Sequence, residues 1–315
     1  MKINIKTLLI VVGALAVLLV VTKLYKAPKS EKTLKTDILE LDSAKIAGIY
    51  IYPKGSLTDP LKISWSGGDY KVSKNDKAYD ADKKAVQQLL NEILAIKSQG
   101  LASKNKAKWR DFDVTDSLGI RVKVLKNDDE VLQEFIVGKF TYEQGNSSNP
   151  YGGISGTSYV RLADEDEIYT VKGFLVFSFN RDINSFRNKL LIEAVSANIN
   201  KITLTYPLDS GFVLTKNNNA WTLNMTKTDS VAVQSYLSML STKSAEEFYD
   251  EPLTSLPTHT LKIEGAGMAA IEITAYPLPD GNYAIKSTLN PKAVFKTLPS
   301  GLFADLFKSK NYFVK

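Results

Sequence analysis

Residues 7–22, TLLIVVGALAVLLVVT, contain no charge and show no polar face, and Lys6 and Lys23 bracket them. After a lysine-rich stretch the pattern changes to short alternating runs separated by turn residues. Ile46, Ile49 and Ile51 with Tyr50 and Tyr52 predict a strand stopped by Pro53. Leu61 to Trp65 and Tyr70 to Val72 alternate around Gly67-Gly68-Asp69, which predicts a hairpin. The period then lengthens: Val86, Leu89, Leu90, Ile93 and Leu94 form the single stripe of an amphipathic helix, with Asp80 or Asp82 available as its cap and Gly100 as its end. Strands follow over 120–125 and 131–137, turning at Asn127-Asp128-Asp129. A glycine- and serine-rich loop over 145–156 leads to strands at 159–162 and 168–171, then to a short aromatic helix carrying Phe174, Leu175, Phe177 and Phe179.

From Val195 the same order of element types begins again. Asn198 to Pro207 answers Ala44 to Pro53, and both runs end in Tyr-Pro. Phe212 to Leu223 repeats the hairpin, and Asp229 precedes a helical stripe of Val233, Tyr236, Leu237 and Leu240. Strands at 260–263, 271–276 and 282–287 follow, with a turn at Pro279-Asp280-Gly281 and a last aromatic helix at Leu302, Phe303, Leu306 and Phe307. The pattern predicts an α+β protein made of two tandem copies of an antiparallel sheet-plus-helix unit behind a single N-terminal transmembrane helix. The expected divisions are a head at 1–6, an anchor at 7–22, a tether at 23–40, a first repeat at 41–194 and a second at 195–315.

A spanning helix needs about 20 apolar residues, and snorkelling Lys6 and Lys23 with interfacial Leu24 and Tyr25 bring this run close to that length. A cleaved signal peptide would want small residues just after the run, where Val21-Thr22-Lys23-Leu24-Tyr25 fits poorly. A buried core helix would need a polar side to show water. The reading is therefore an anchor whose lipid-facing residues are Leu8, Leu9, Ile10, Val11, Val12, Leu15, Val17, Leu18, Leu19, Val20 and Val21. Counting lysines alone would hold the body in the cytoplasm. However, a short cationic head is the ordinary start of an export signal, and long domains translocate largely regardless of charge. The expectation is a single-pass protein of a bacterial inner membrane with its body facing the periplasm.

Charge and composition narrow the chemistry. The net charge of +6 is concentrated at Lys2 and Lys6 and in the lysines of residues 23–37, so the chain from Ile38 onward is nearly neutral. That distribution suits a membrane surface and offers no footprint for nucleic acid. There is no cysteine and one histidine, His259, which removes thiolate chemistry and most metal and triad arrangements. Gly138-Lys139 lacks the earlier glycine of a phosphate loop, since position 133 is Gln. The acidic run Asp164-Glu165-Asp166-Glu167 lacks the alternation of a calcium loop and reads as a solvated turn. No catalytic, cofactor-binding or metal-ligating residue is expected, and no small-molecule cofactor. The one candidate contact region is the loop with its aromatic residues, comprising Tyr142, Tyr151, Gly152, Gly153 and Tyr159.

Several runs of the first half, Phe135-Ile-Val-Gly-Lys139, Tyr159-Val-Arg-Leu162, Ile168-Tyr-Thr-Val171 and Phe186-Arg187 before Lys189-Leu190-Leu191, follow an amino-terminal anchor and a strand–hairpin–helix unit. In that order they make the chain similar to the bacterial family called domain of unknown function 4340. The resemblance implies a membrane-anchored, outward-facing accessory subunit of an ABC-type export system, of the kind found with gliding-motility components. Its implied partners are transporter subunits and the lipid bilayer, and it supplies no catalytic residues. The second half has no clear counterpart of the Gly-Lys or Tyr-Val-Arg-Leu runs. The expected function is a non-enzymatic scaffold of such an assembly; an envelope glycan- or peptide-binding module is the alternative, and a carboxylate-based hydrolase a third reading.

Overall fold

The computed structural model describes residues 35–126, 130–144, 153–218 and 220–314. The anchor at 7–22, the turn at 127–129, and Tyr151 and Gly152 lie outside the described residues. Among the described residues no helix is long and apolar enough to cross a membrane.

The described chain is mostly antiparallel β-sheet with few helices. Its first strands are β1 (Gly48–Tyr52), β2 (Leu61–Ser66), β3 (Asp69–Lys74) and β4 (Lys77–Asp80), followed by helix α1 (Lys83–Leu94). Then come β5 (Ser98–Ser103), β6 (Ile120–Leu125), β7 (Val131–Glu143), β8 (Ser155–Leu162), β9 (Ile168–Lys172) and the one-turn helix α2 (Leu175–Phe179). A short β10 (Leu190–Glu193) precedes β11 (Ile199–Thr205), β12 (Phe212–Asn217), β13 (Ala220–Leu223), β14 (Thr226–Lys227) and helix α3 (Ser230–Ser241). The chain ends with β15 (Thr242–Ser244), β16 (Glu247–Phe248), β17 (His259–Gly265), β18 (Ile271–Pro277), β19 (Tyr283–Ser287), β20 (Phe295–Thr297) and helix α4 (Leu302–Leu306).

Two sheets of nine strands result, ordered β4-β3-β2-β1-β6-β7-β8-β9-β5 and β14-β13-β12-β11-β17-β18-β19-β20-β16. Strand for strand the order is the same. In each, four strands meander outward to one edge, a twelve-residue helix follows, and the next strand of that sheet is the opposite edge. The small sheet β10-β15 pairs with neither, but its Leu191 and Ile192 lie in the core of the second sheet. By packing, the chain divides into two compact units that interleave along the sequence: residues up to Ile46 with Ile51–Thr58 and Glu92–Asn180, and Ala47–Tyr50 with Asp59–Asn91 and Arg181–Lys315.

Local chemistry explains the turns and caps. Asn75-Asp76 and Asn224-Met225 all have φ between 45° and 71°. Two successive left-handed residues make a two-residue turn that matches strand twist, so each joins a strand pair tightly: β3 to β4 and β13 to β14. Asp82, not Asp80, caps α1, its carboxylate accepting from the Lys84 and Ala85 amides at 2.8 and 3.3 Å. Asp80 instead pairs with Lys71. Asp229 does the same for α3, accepting from Val231 and Ala232. Gly100 does not end α1, which stops at Leu94; it lies in β5, where its lack of a side chain accommodates the Thr170 hydroxyl.

The α3 stripe is buried as expected. Val233, Tyr236, Leu237 and Leu240 pack into one core with Ile202, Leu204, Leu214, Ile263, Ile273 and Phe295 of the second sheet. Tyr236 enters that core with its hydroxyl satisfied, donating to the Leu306 carbonyl at 2.5 Å. On α1, Val86, Leu89 and Ile93 are fully buried, whereas Leu90 and Leu94 at the stripe's margin are half-buried.

Candidate docking surface

Strands β7 and β8 pair antiparallel, with a register shift after Val137, and beyond it Phe140 faces Ser158 and Tyr142 faces Gly156. Residues paired across antiparallel strands point to the same face, and side chains alternate along each strand. Phe140, Tyr142, Gly156 and Ser158 therefore share one face. The absence of a side chain at Gly156 lets the Phe174 ring press onto the strand, at 2.7 Å from where a Cβ would stand. The Ser158 hydroxyl fixes the entry to α2, donating to the Gly173 carbonyl at 2.8 Å and accepting from the Leu175 amide at 2.9 Å.

These contacts build a three-ring cluster. Phe140 meets Phe174 at 5.3 Å and Phe177 at 5.4 Å, and Phe174 meets Phe177 at 6.0 Å. One of its rings is open: Phe177 is 63% exposed while Phe140 and Phe174 are half-buried, and Tyr142 further along the face is 66% exposed and Ile154 beside the start of β8 is 62% exposed. Single exposed apolar side chains are ordinary, whereas several large ones along one end of a strand pair make that end a candidate contact surface.

The opposite face of the same hairpin has a different job. Tyr159 points away from Tyr142, half-buried, with its ring 4.6 Å from Phe112. Arg161, only 2% exposed, lies against the Trp109 ring at 3.7 Å and donates to the carbonyls of Val114, Leu162 and Ala163 at 3.0 to 3.2 Å. Burial pulls its pKa down, offset in part by nearby Asp116. Trp109 Nε1 donates to the Asp166 carbonyl at 3.0 Å. The Lys139 amide donates to the Phe112 carbonyl at 3.1 Å, and a Cβ on Gly138 would stand 2.1 Å from that same oxygen. The Phe-Ile-Val-Gly-Lys and Tyr-Val-Arg-Leu runs and the acidic turn thus all serve to fasten residues 109–114 to the back of the sheet. They are structural signatures, which explains why they suggest no chemistry.

The structure therefore separates the residues grouped by sequence. Tyr142 is open, Gly153 is exposed with no atom near its Cβ position, and Tyr159 is packed on the other face. Sequence reasoning missed Phe140, Phe174 and Phe177 as a surface. The signal was present in the aromatic density of residues 174–179, which reads equally as core.

Other titratable groups are held structurally. His259 sits among the rings of Tyr206, Tyr283, Phe303 and Phe307 at 4.9 to 5.7 Å, its Nδ1 2.9 Å from the Thr258 hydroxyl, and burial lowers its pKa. In the acidic turn, Glu165 accepts from the Tyr169 hydroxyl at 2.6 Å and pairs with Lys35 at 3.2 Å. Burial, together with that bond to Glu165, pushes the Tyr169 pKa well up. Asp111, Asp250, Glu264 and Asp280 all have lowered pKa values, each chiefly through a lysine or arginine donor, and Asp280 is brought to about 2.

A family model described as Domain of unknown function (DUF4340) matches residues 65–262, more than half of the chain. No curated protein and no solved structure matches it.

Proposed function

The chain belongs to this DUF4340 family, and from that premise and its surface we propose that it is a non-enzymatic docking protein of an ABC-type transporter or related envelope assembly. Residues 7–22 anchor it in a bacterial inner membrane. Residues 23–40 lead from the anchor and join the body by their end, where the Thr36 carbonyl accepts from the Ser98 amide at 2.8 Å and Ile38 is buried. The body, two copies of one sheet-plus-helix unit, faces the periplasm. The observation that carries this reading is exposed Phe177, held against half-buried Phe140 and Phe174, with exposed Tyr142 on the same face as Phe140. Covering such rings contributes on the order of 25 cal/mol per Å² of apolar surface removed from water, which is how a protein partner would be held.

The carboxyl groups bear on the carboxylate-based hydrolase reading alone. A glycosidase-type pair needs one acid whose pKa is raised so that it stays protonated. Among the described residues, the carboxyls with shifted pKa values all move the other way, each held ionised by a cation.

A photo-cross-linking residue replacing Phe177 in the full chain tests the reading in native membranes. Adducts to a transporter subunit are expected from position 177 and not from position 208, where Leu208 is fully exposed in the other compact unit. Equal adducts from both positions, or none from 177, would remove the docking role.

A further inference from the structure

The two sheets diverge at one equivalent place. In each, one rung before the last of the outer hairpin, stands a facing pair: Trp65 with Tyr70 in the first sheet, Lys216 with Trp221 in the second. In the first sheet Trp65 and Tyr70 stack at 6.2 Å and 21°, and Lys83, the first residue of α1, lies over the Tyr70 ring at 5.6 Å. In the second, the stacking partner is replaced by a lysine, and the first residue of α3 is the short Ser230. Both changes withdraw bulk from the gap between hairpin and helix.

What remains is a cavity of about 670 Å³, with Trp221 on its sheet wall and Val233 and Leu237 on its helix wall. That volume lies within the ordinary range for small-molecule sites, about 300–1,000 Å³. Its charged lining is one-sided. Lys216 and Lys227 border it and no carboxylate does; among the described residues neither lysine makes an ion pair. Gln234 adds an uncharged hydrogen-bonding group. An aromatic plate, an aliphatic wall and two uncompensated ammonium groups are complementary to a body that is apolar at one end and anionic at the other.

We propose that this cavity binds a small amphipathic carboxylate, its apolar body between Trp221 and the Val233–Leu237 face of α3 and its carboxylate toward Lys216 and Lys227. The site is independent of the docking surface, which lies in the other compact unit.

Calorimetric titration of the full chain in a neutral detergent tests it, with naphthalene-2-carboxylate as the probe and naphthalene-2-methanol as its uncharged counterpart. Saturable binding of the carboxylate is expected, at least ten-fold tighter than the alcohol. The Lys216→Ala/Lys227→Ala variant is expected to lose that ten-fold preference while melting as the parent does. Lys216→Trp restores the residue found at the equivalent place in the first sheet and is expected to fill the cavity and abolish binding of both probes. Equal affinity for the two probes, no saturable binding, or unchanged binding in the lysine variants would overturn the proposal.

Discussion

Arg187 grips Asp250 with both terminal nitrogens, at 2.8 and 2.7 Å, while the rings of Tyr79 and Phe248 lie 3.7 and 3.6 Å from its central carbon. Two ring centroids that close to one planar group must sit on opposite sides, so the guanidinium is sandwiched. It is buried, and Asn184 accepts a further bond at 3.1 Å. A lysine has neither the plane to stack nor the fork to reach both carboxylate oxygens. Arg187→Lys is expected to cost about 2–4 kcal/mol, combining two stacking contacts with a broken partly buried pair. Urea denaturation measures it, and a loss below about 0.5 kcal/mol, the size of an ordinary surface change, would refute this account.

The same pair sets a pH dependence. Hydrogen bonds from Arg187, more than simple charge attraction, hold the Asp250 carboxyl below the usual carboxylate range. A group with a lowered folded pKa stabilises above its unfolded pKa of about 3.9, and that contribution disappears as pH falls through the lower folded value. Asp250→Asn should therefore weaken the protein more at about pH 7 than at about pH 3, which lies below the unfolded pKa, so that the ionised carboxyl's contribution is already shrinking. Equal deficits at the two pH values would dissociate the effect from ionisation.

Gly138 is expected to tolerate nothing larger. A Cβ there meets the Phe112 carbonyl at 2.1 Å and Val114 Cγ1 at 2.7 Å, and the backbone atom cannot swing aside. Gly138→Ala should destabilise by about 1–3 kcal/mol, as overpacking does. Gly153→Ala, with open space around it, is the matched control and should leave the melting temperature unchanged.

Removing the Tyr236 hydroxyl isolates one buried hydrogen bond. Its partner, the Leu306 carbonyl, lies 2.5 Å away in the core of the second sheet. Burial drives the Tyr236 pKa far up, so the phenol stays protonated as a donor. Tyr236→Phe should cost about 1–3 kcal/mol by leaving that oxygen unpaired. A neutral substitution would mean the carbonyl had found another donor.

Phe177→Ser separates docking from folding. With most of its ring in water, stability should change by about 0.5 kcal/mol or less, while co-purification with the transporter subunit proposed above should fall several-fold. Loss of both together would point to a packing role instead.

Much of this fold was readable from the chain, for physical reasons that also mark where reading stops. The stripes Val86-Leu89-Ile93 and Val233-Tyr236-Leu237-Leu240 carry strong periods and became α1 and α3. Central strands such as β6, β17 and β18 alternate apolar and polar residues and were legible for the same reason. The edges were not. β4 is Lys-Ala-Tyr-Asp, β5 is Ser-Gln-Gly-Leu-Ala-Ser, β14 is Thr-Lys and β16 is Glu-Phe. Such segments are strands because a neighbour offers unpaired backbone groups, which no local pattern encodes. Asn75-Asp76 was a usable turn signal that would have revealed β4. The ring cluster at 140, 174 and 177, with its exposed Phe177, was hidden because a phenylalanine reads as core until the packing around it is known.

Those unpromising edge strands have a consequence of their own. A flank of two residues, as in β14 or β16, offers a stranger chain scarcely one rung to copy. The longer β5 is kinked by irregular pairing on either side of Gly100 and Leu101. Short and distorted borders of this kind resist growth into fibrils. The eighteen strands of the two open sheets thus end in borders that offer little for another chain to extend.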